Sequence, residues 1–463
     1  MGLIFLILLL ALVLRLINLN QSLWLDEAVQ AITAKESIPY IFQEIVGDFH
    51  PPLYHFLMHF WVRVFGSSEI ALRMPSVIFG VITVYTSYLI AGEIKKDKFF
   101  SLVTAFFLAT APFHVYYSQE ARMYSLVTMF SSLSVLFFLK TLKDDNKLDI
   151  VLWLVFSIFA VYSDYYAWLV LLSEGIYLLF SKKTKYIKLF LIVVLFYLPW
   201  LPMFFNQVNT GILATRVLPE WGKLVNLGFF KALPLTFIKF SLGRITIFNK
   251  AVYAGVAFFV ALVYGVALVN GARKREVRIV VFWLAFPLII SWLFSLAVPN
   301  YQPFRLLLVI PAFYLLLAFG IGSFNNKIVK VTLFSFVIVV NLLSISFYFL
   351  NPFFHREDWK GVADYVIKEN ASAILPSETS AWPLRYYDSQ NKIKIAFGGR
   401  GIEKVGSKPL NIVYSEKVFY IRYLVPLFDP QEKILSELES SNYSKIKETS
   451  FNQIPVWEFE LKP

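Results

Sequence analysis

Two acidic residues stand side by side in Ser22-Leu23-Trp24-Leu25-Asp26-Glu27, just beyond the first long apolar run of the chain. One carboxylate at such a place offers a general base for an acceptor hydroxyl, and two offer oxygen ligands for a divalent cation. The same pair equally suits the first turn of a helix, where negative charge offsets the helix dipole. Further on, in Asp48-Phe49-His50-Pro51-Pro52-Leu53-Tyr54-His55, the double proline forces an extended backbone. It presents His50 rigidly, either to a sugar phosphate or metal or simply as a surface histidine beside a turn. His55 and His59 are four residues apart but lack the intervening glutamate of a zinc protease, so metalloprotease chemistry is set aside. A third cluster reads Pro112-Phe113-His114-Val115-Tyr116-Tyr117-Ser118-Gln119-Glu120-Ala121-Arg122-Met123-Tyr124. Arg122 suits phosphate, because guanidinium is permanently charged and bonds oxygens in pairs. Glu120 either contacts a sugar or pairs with Arg122 as a structural tie, and Tyr117 crowds the same turn. Asp164, in Tyr162-Ser163-Asp164-Tyr165-Tyr166, orients sugar hydroxyls or a cation, or snorkels to the interface. Arg305, after Tyr301-Gln302-Pro303-Phe304, is a second phosphate ligand or an interfacial anchor, with Arg216 and Arg244 weaker candidates of the same kind.

These residues are punctuation between apolar stretches. Of the 463 residues, 58% are hydrophobic and 16% charged, which excludes a soluble enzyme, a disordered chain and a fibrous repeat. There is no cysteine, so disulfide scaffolds, thiolate metal sites and cysteine nucleophiles are excluded as well. About 20 helical residues cross a bilayer core. Eleven stretches read as spans, at 2–19, 73–93, 99–116, 123–140, 149–166, 166–181, 187–206, 250–270, 279–298, 305–324 and 329–349. The connectors after the even-numbered spans are basic, with Lys95, Lys96 and Lys98, then Lys140, Lys143 and Lys147, then Lys182, Lys183, Lys185 and Lys188. Arg273, Lys274, Arg275 and Arg278, and then Lys327 and Lys330, continue the pattern. Positive charge stays inside, so the N-terminus is expected in the cytoplasm and the other connectors outside a plasma membrane. Segments 355–463 hold as many basic as acidic residues, so the net charge of +12 lies wholly between the apolar runs. That distribution argues for membrane lipids as neighbours and against nucleic acid.

Two expected outer loops are long, 20–72 and 207–249, the latter broken by Pro219 and Pro234. Long loops tend to carry function, and 52–66 and 223–246 also suit interfacial amphipathic helices. Beyond residue 354 the apolar runs shorten to strand length, at Ile393–Phe397, Leu410–Tyr414 and Val418–Leu424. Asp358–Lys368 has helical spacing through Trp359, Val362, Ala363, Val366 and Ile367, and 430–440 reads as another helix. The expectation is a membrane domain over 1–354 and a small extracytoplasmic α/β domain over 355–463.

Taken together, the motifs carry a resemblance. Leu14-Arg15-Leu16 ahead of Trp24-Leu25-Asp26-Glu27, then His50-Pro51-Pro52-Leu53, Arg73-Met74-Pro75-Ser76-Val77 with Gly80, Ser118-Gln119-Glu120-Ala121-Arg122-Met123-Tyr124 and Arg356-Glu357-Asp358-Trp359 resemble the dolichyl-phosphate-mannose–protein mannosyltransferase superfamily. Its bacterial relatives include transferases that put aminoarabinose on lipid A. The resemblance is strong over 1–170 and fainter over 300–365. It implies a GT-C membrane glycosyltransferase, polytopic and α-helical with about 11 spans, taking one sugar from a polyprenyl-phosphate donor on the outer or lumenal face. It implies Asp26 as catalytic base with Glu27 beside it, and Arg122 as a donor-phosphate ligand. There are departures. Family members often carry histidine near the Tyr165-Tyr166 pair, where this chain has Asp164. The Trp-Trp-Asp-Tyr-Gly and Asp-X-Asp motifs are missing, so an oligosaccharyltransferase is not expected and a divalent cation stays an open cofactor.

The expected reaction is a single displacement with inversion at the anomeric carbon. Asp26 and Glu27 are its catalytic candidates, Arg122 and Arg305 its phosphate ligands, and His50, Tyr117, Glu120 and Asp164 its pocket. The acceptor is a lipid, glycan or protein. The competing class is a transporter or flippase of lipid-linked sugars, which would more often show broken helices or ionisable groups at mid-membrane. Here the polar candidates gather at one side.

Overall fold

A computed structural model describes residues 2–218, 220–398 and 415–462, so Pro219 and the expected strand Leu410–Tyr414 lie outside the described residues. The apolar runs become helices because an unpaired backbone cannot sit in hydrocarbon. Helix α1 is Gly2–Leu16, and the segment after it folds into three short helices, α2 Leu25–Thr33, α3 Ile38–Asp48 and α4 Leu53–Phe65. Then come α5 Glu69–Ile94, α6 Lys98–Ala109, α7 Pro112–Tyr117, α8 Tyr124–Asp144, α9 Lys147–Ser163 and α10 Ala167–Phe180. Helices α11 Phe190–Tyr197 and α12 Leu201–Val217 form one long rod with their 3-10 joints. Next are α13 Trp221–Val225, α14 Phe229–Leu242, α15 Lys250–Ala272, α16 Arg278–Phe294, α17 Ile310–Gly322 and α18 Lys327–Leu350. Side-chain caps open several of them: Asp97 accepts from the Phe99 and Phe100 amides, and Asn146, Asn249 and Asn326 cap α9, α15 and α18.

Among the described residues, eight helical stretches are long and apolar enough to cross a membrane. Seven coincide with expected spans. The expected spans at 2–19, 99–116, 149–166 and 166–181 are helices of 12 to 17 residues instead. The span at 99–116 is cut short where Thr110 ends α6 and Pro112 starts α7. The eighth stretch, Trp221–Leu242, falls in the expected outer loop. Trp221 at its start, Lys239 near its end and Arg244 just beyond all line one cavity. Close approaches fix the packing. A Cβ on Gly320 of α17 would strike the Ala267 carbonyl of α15, and Asn270 Nδ2 donates to the Gly320 carbonyl at 2.8 Å.

The C-terminal part is a five-stranded sheet of order β2-β1-β3-β5-β4, where β1 is Ser372–Leu375, β2 Ile395–Phe397, β3 Lys417–Ile421, β4 Tyr443–Phe451 and β5 Ile454–Leu461. Strand β1 pairs in parallel with β2 and β3, whereas β5 runs antiparallel to β3 and β4. Alternation along β3 sends Phe419 and Ile421 to one core, with α19 Trp359–Lys368 and α20 Trp382–Tyr387, and Val418 and Tyr420 to the other. The second core is closed by α22 Lys433–Ser440, and α21 Val425–Phe428 leaves the domain to pack Leu427 and Phe428 on Leu218 and Trp221. The domain is docked on the membrane bundle by polar contacts as well: the Leu23 amide donates to Tyr387 Oη at 2.8 Å and the Lys360 amide to Ser22 Oγ at 3.0 Å.

Candidate active site

The motif residues divide into a buried frame and an open face. Arg15, fully buried, donates to the Ala109 carbonyl at 3.1 Å and lies 2.7 Å from His114 Nδ1, joining the end of α1 to the α6–α7 turn. Gln119 Nε2 donates to the carbonyls of Arg15 and Ile17 at 3.1 and 2.6 Å, so the loop after α7 is tied to the same place. Gly80 of α5 permits this: a Cβ there would collide with Ser118 and come within 2.9 Å of Arg15 Nε. Behind α2, Glu27 takes both oxygens to Arg73, at 2.8 Å from Nε and 2.6 Å from Nη2, and accepts the Ala121 amide at 2.8 Å. Arg73 also donates to the carbonyls of Leu19, Gln21 and Ser22. Burial alone would raise the Glu27 carboxyl, but the Arg73 charge and hydrogen bond hold it below the usual value.

On the other side of α2, Asp26 opens into a cavity of about 760 Å³. Its side chain is 37% exposed, to the cavity interior, and Arg122 Nη2 lies 3.9 Å from Oδ2. The same guanidinium holds Asp48 at 2.9 Å, and Asp48 Oδ2 is 2.9 Å from His55 Nε2. Two carboxylates therefore share one arginine and are pushed apart. For Asp48, burial pushes up, but the Arg122 charge and the His55 hydrogen bond outweigh it and keep the group ionised. For Asp26, burial wins over the more distant Arg122, helped by repulsion from Asp48 and Glu27, and the carboxyl is raised above its usual 3.8. A raised carboxylate in a cavity beside a fixed cation has the character of a general base.

Of the residues expected from sequence, Asp26, His50, Tyr117, Glu120, Arg122 and Arg305 line this one cavity, from segments far apart in the chain. Glu27 and Asp164 do not line it. Asp164 stands behind His50, its Oδ2 3.5 Å from Nδ1, with Oδ1 accepting the Tyr166 amide at 2.8 Å. Burial lowers the His50 pKa despite that carboxylate, so the ring is neutral near pH 7. Glu120 does not pair with Arg122; it meets Arg356 at 2.7 Å, so the structural tie runs to the C-terminal segment instead. His59, the other member of the spaced pair, contacts the Ala34 carbonyl at 3.1 Å. Arg305 has no carboxylate within ion-pair distance among the described residues, and its buried Nε has no partner.

Sequence reasoning gave no role to Asp48, Lys239, Arg356 or Glu357, all of which line the cavity. The first was legible as an acid two residues before the His50-Pro51-Pro52 turn, and Arg356 and Glu357 sit in a quoted motif. Lys239 is a lone lysine in an apolar helix, with no local signal beyond its charge. Arg244, ranked a weaker candidate, lines the wall with its Nη1 2.6 Å from Tyr116 Oη, whereas Arg216 does not line it. Among the described residues, no group of three or more His, Asp and Glu converges as a metal site.

Comparison with known proteins matches this geometry to a fold. A family model described as dolichyl-phosphate-mannose-protein mannosyltransferase matches residues 49–204, and no curated protein matches by sequence. ArnT from Cupriavidus metallidurans in the apo state aligns over 99% of this chain and 98% of its own, with a TM-score of 0.61 at 12% identity. The chain has the GT-C fold. ArnT bound to undecaprenyl phosphate gives 0.58 at 11% identity, again over 99% and 98% of the two chains. The Archaeoglobus fulgidus oligosaccharyltransferase gives 0.52 at 11% identity, over 85% of this chain and 64% of that one. The matched segment 49–204 carries His50, Tyr117, Glu120, Arg122 and Asp164, while Asp26 lies ahead of it and Arg305 after it.

Proposed function

We propose that the chain is a membrane glycosyltransferase that moves one sugar from a polyprenyl-phosphate donor to an acceptor hydroxyl, with inversion, on the outer face of the membrane. The observation that carries this is the Asp26 carboxylate: raised by burial, open to a large cavity, and beside the Arg122–Asp48 pair. A GT-C neighbour that binds undecaprenyl phosphate supports the donor class. The basic connectors 95–98 and 273–278 support placing the cavity at the opposite, outer end.

Asp26 takes the proton from the acceptor hydroxyl as its oxygen attacks the anomeric carbon. The bond from that carbon to the phosphate oxygen breaks, and polyprenyl phosphate leaves with one more negative charge. Arg305, which has no carboxylate within ion-pair distance among the described residues, and the remaining N–H groups of Arg122 meet that charge. Glu27 is a positioning residue: it ties α2 to the Ala121 amide and so sets where Asp26 sits. Neutral His50, braced by Asp164, hydrogen-bonds the sugar. The C-terminal domain closes the acceptor side through Arg356, Glu357 and Gln453. The acceptor is a lipid, glycan or protein.

The test supplies radiolabelled polyprenyl-phosphate sugars one at a time to membranes containing the chain. Release of free polyprenyl phosphate with label on an acceptor of inverted anomeric configuration is expected. Retained configuration would rule out the single displacement, and no release from any donor with folded protein would rule out the transferase.

A further inference from the structure

The cavity holds two separate groups of cations, and they are matched differently. In the first, Arg122 is met by Asp48 at 2.9 Å and approached by Asp26 at 3.9 Å, with Arg305 nearby. The second surrounds Tyr116. Arg244 Nη1 is 2.6 Å from Tyr116 Oη, and the guanidinium carbons of Arg244 and Arg356 lie 4.7 and 4.3 Å from the ring centroid. Lys239 lines the same cavity, within electrostatic reach of Arg244. Aromatic rings separate the groups: Tyr116 packs on Tyr117 at 5.1 Å, and Tyr117 on Phe304, the neighbour of Arg305, at 5.9 Å.

Among the described residues, the three cations of the second group have one carboxylate within ion-pair distance; Glu357, next to Arg356 in the chain, also lines the cavity but is hydrogen-bonded to Trp359 and Tyr423. Glu120 is engaged by Arg356 at 2.7 Å. Among the described residues, neither Arg244 nor Lys239 has an acidic group within ion-pair distance. Arg356 is 6% exposed, and its buried Nη2 has no hydrogen-bond partner. Holding like charges together away from bulk water is costly unless an anion joins them. The two cations without an ion-pair contact, Lys239 and Arg244, suit a phosphate monoester, which carries nearly two negative charges near neutral pH. Guanidinium groups also bond phosphate oxygens in pairs. A polyprenyl-phosphate donor brings one phosphate, and Arg305 with Arg122 already answers it.

We propose that Lys239, Arg244 and Arg356 form a second anion subsite that takes a phosphate monoester carried by the acceptor. The proposal rests on the glycosyl-transfer reading above and narrows its acceptor to a phosphorylated molecule. The subsite places that phosphate on the far side of Tyr117 from the leaving phosphate, so the two anions do not compete.

The test uses the full chain in lipid nanodiscs with labelled undecaprenyl phosphate as donor-site probe. Glucose 6-phosphate, with glucose as its uncharged control, is the probe of the second subsite. In protein saturated with undecaprenyl phosphate, glucose 6-phosphate is expected to bind and glucose not. Lys239→Met and Arg244→Gln each weaken glucose 6-phosphate by about tenfold or more, while undecaprenyl phosphate binding stays unchanged. Arg244→Lys, which keeps the charge and the fold, restores much of the loss. Glucose 6-phosphate failing to bind the saturated protein, or binding it regardless of both substitutions, overturns the proposal. So do substitutions that weaken undecaprenyl phosphate instead, since they give this cluster to the donor. If undecaprenyl phosphate does not bind the wild type at all, it is the functional reading that fails, and glucose 6-phosphate binding judges the subsite alone.

Discussion

The two faces of α2 hold the same chemistry in opposite states. On the inner face, Glu27 and Arg73 are sealed: both carboxylate oxygens are engaged, by one guanidinium and one backbone amide. On the outer face, Asp26 stands 3.9 Å from Arg122, too far for a hydrogen bond, with its oxygens open to the cavity. Neighbours in sequence, the two acids are driven in opposite directions, Glu27 below its usual pKa and Asp26 above it. A saturated ion pair holds a fold together, whereas an unsaturated one retains capacity for a proton or a ligand.

Exchanging the states by mutation should separate stability from activity. Asp26→Asn should have the largest effect, lowering kcat/KM by about 10²–10⁴, the usual worth of a positioned general base. Because the Asp26 side chain makes no hydrogen bond among the described residues, its melting temperature should stay near that of the wild type. Glu27→Gln should do the reverse and cost about 3–5 kcal/mol of stability, because Arg73 is left buried without its counter-ion. Differential scanning fluorimetry checks the stability of both, and a much smaller loss of kcat is expected for the folded fraction. The pH dependence of stability carries the same signature. Since the folded pKa of Glu27 lies below the usual 4.5, its contribution is complete above that pH and is lost as the pH falls through the lowered value. Glu27→Gln should flatten that fall.

A smaller effect sharpens the comparison within the open face. Asp26 must be ionised to act, so the acid limb of kcat/KM should lie above pH 3.8. Asp48→Asn removes a repelling charge and frees Arg122 for Asp26, so the limb should move to lower pH, by about one unit. A limb that moves upward or stays put would contradict the shared-arginine arrangement. The smallest change is expected for Asp164→Asn. Loss of that carboxylate should lower the His50 pKa further, a shift readable by NMR of the imidazole with little effect on stability.

Much of this was legible in the sequence because hydropathy reports directly on which segments lie in lipid. The spans 73–93, 123–140 and 329–349 fall on α5, α8 and α18. Helix α19 falls where the spacing of Trp359, Val362, Ala363 and Val366 places it, and those four side chains are buried. Length was the weaker guide: Trp221–Leu242 has the composition of a span, yet both ends meet one cavity. Strand β4 was missed because exposed charges stand on both of its faces, Lys445 and Glu448 on one and Lys447 on the other across a bulge, so it has no clean apolar alternation. In the site, residue types pointed to Asp26, Arg122 and Arg305, because charge at a membrane edge needs a reason. What type could not show was saturation. Asp26 and Glu27 are chemically alike, and only the positions of Arg73 and the Ala121 amide separate them. Lys239 and Arg244 acquire meaning only because, among the described residues, neither has an acidic group within ion-pair distance.

The most direct measurement is transfer by purified Asp26→Asn protein, with undecaprenyl phosphate binding measured on the same sample. The account predicts binding like that of the wild type with transfer nearly abolished. Wild-type transfer by the variant would contradict it and remove Asp26 as the base.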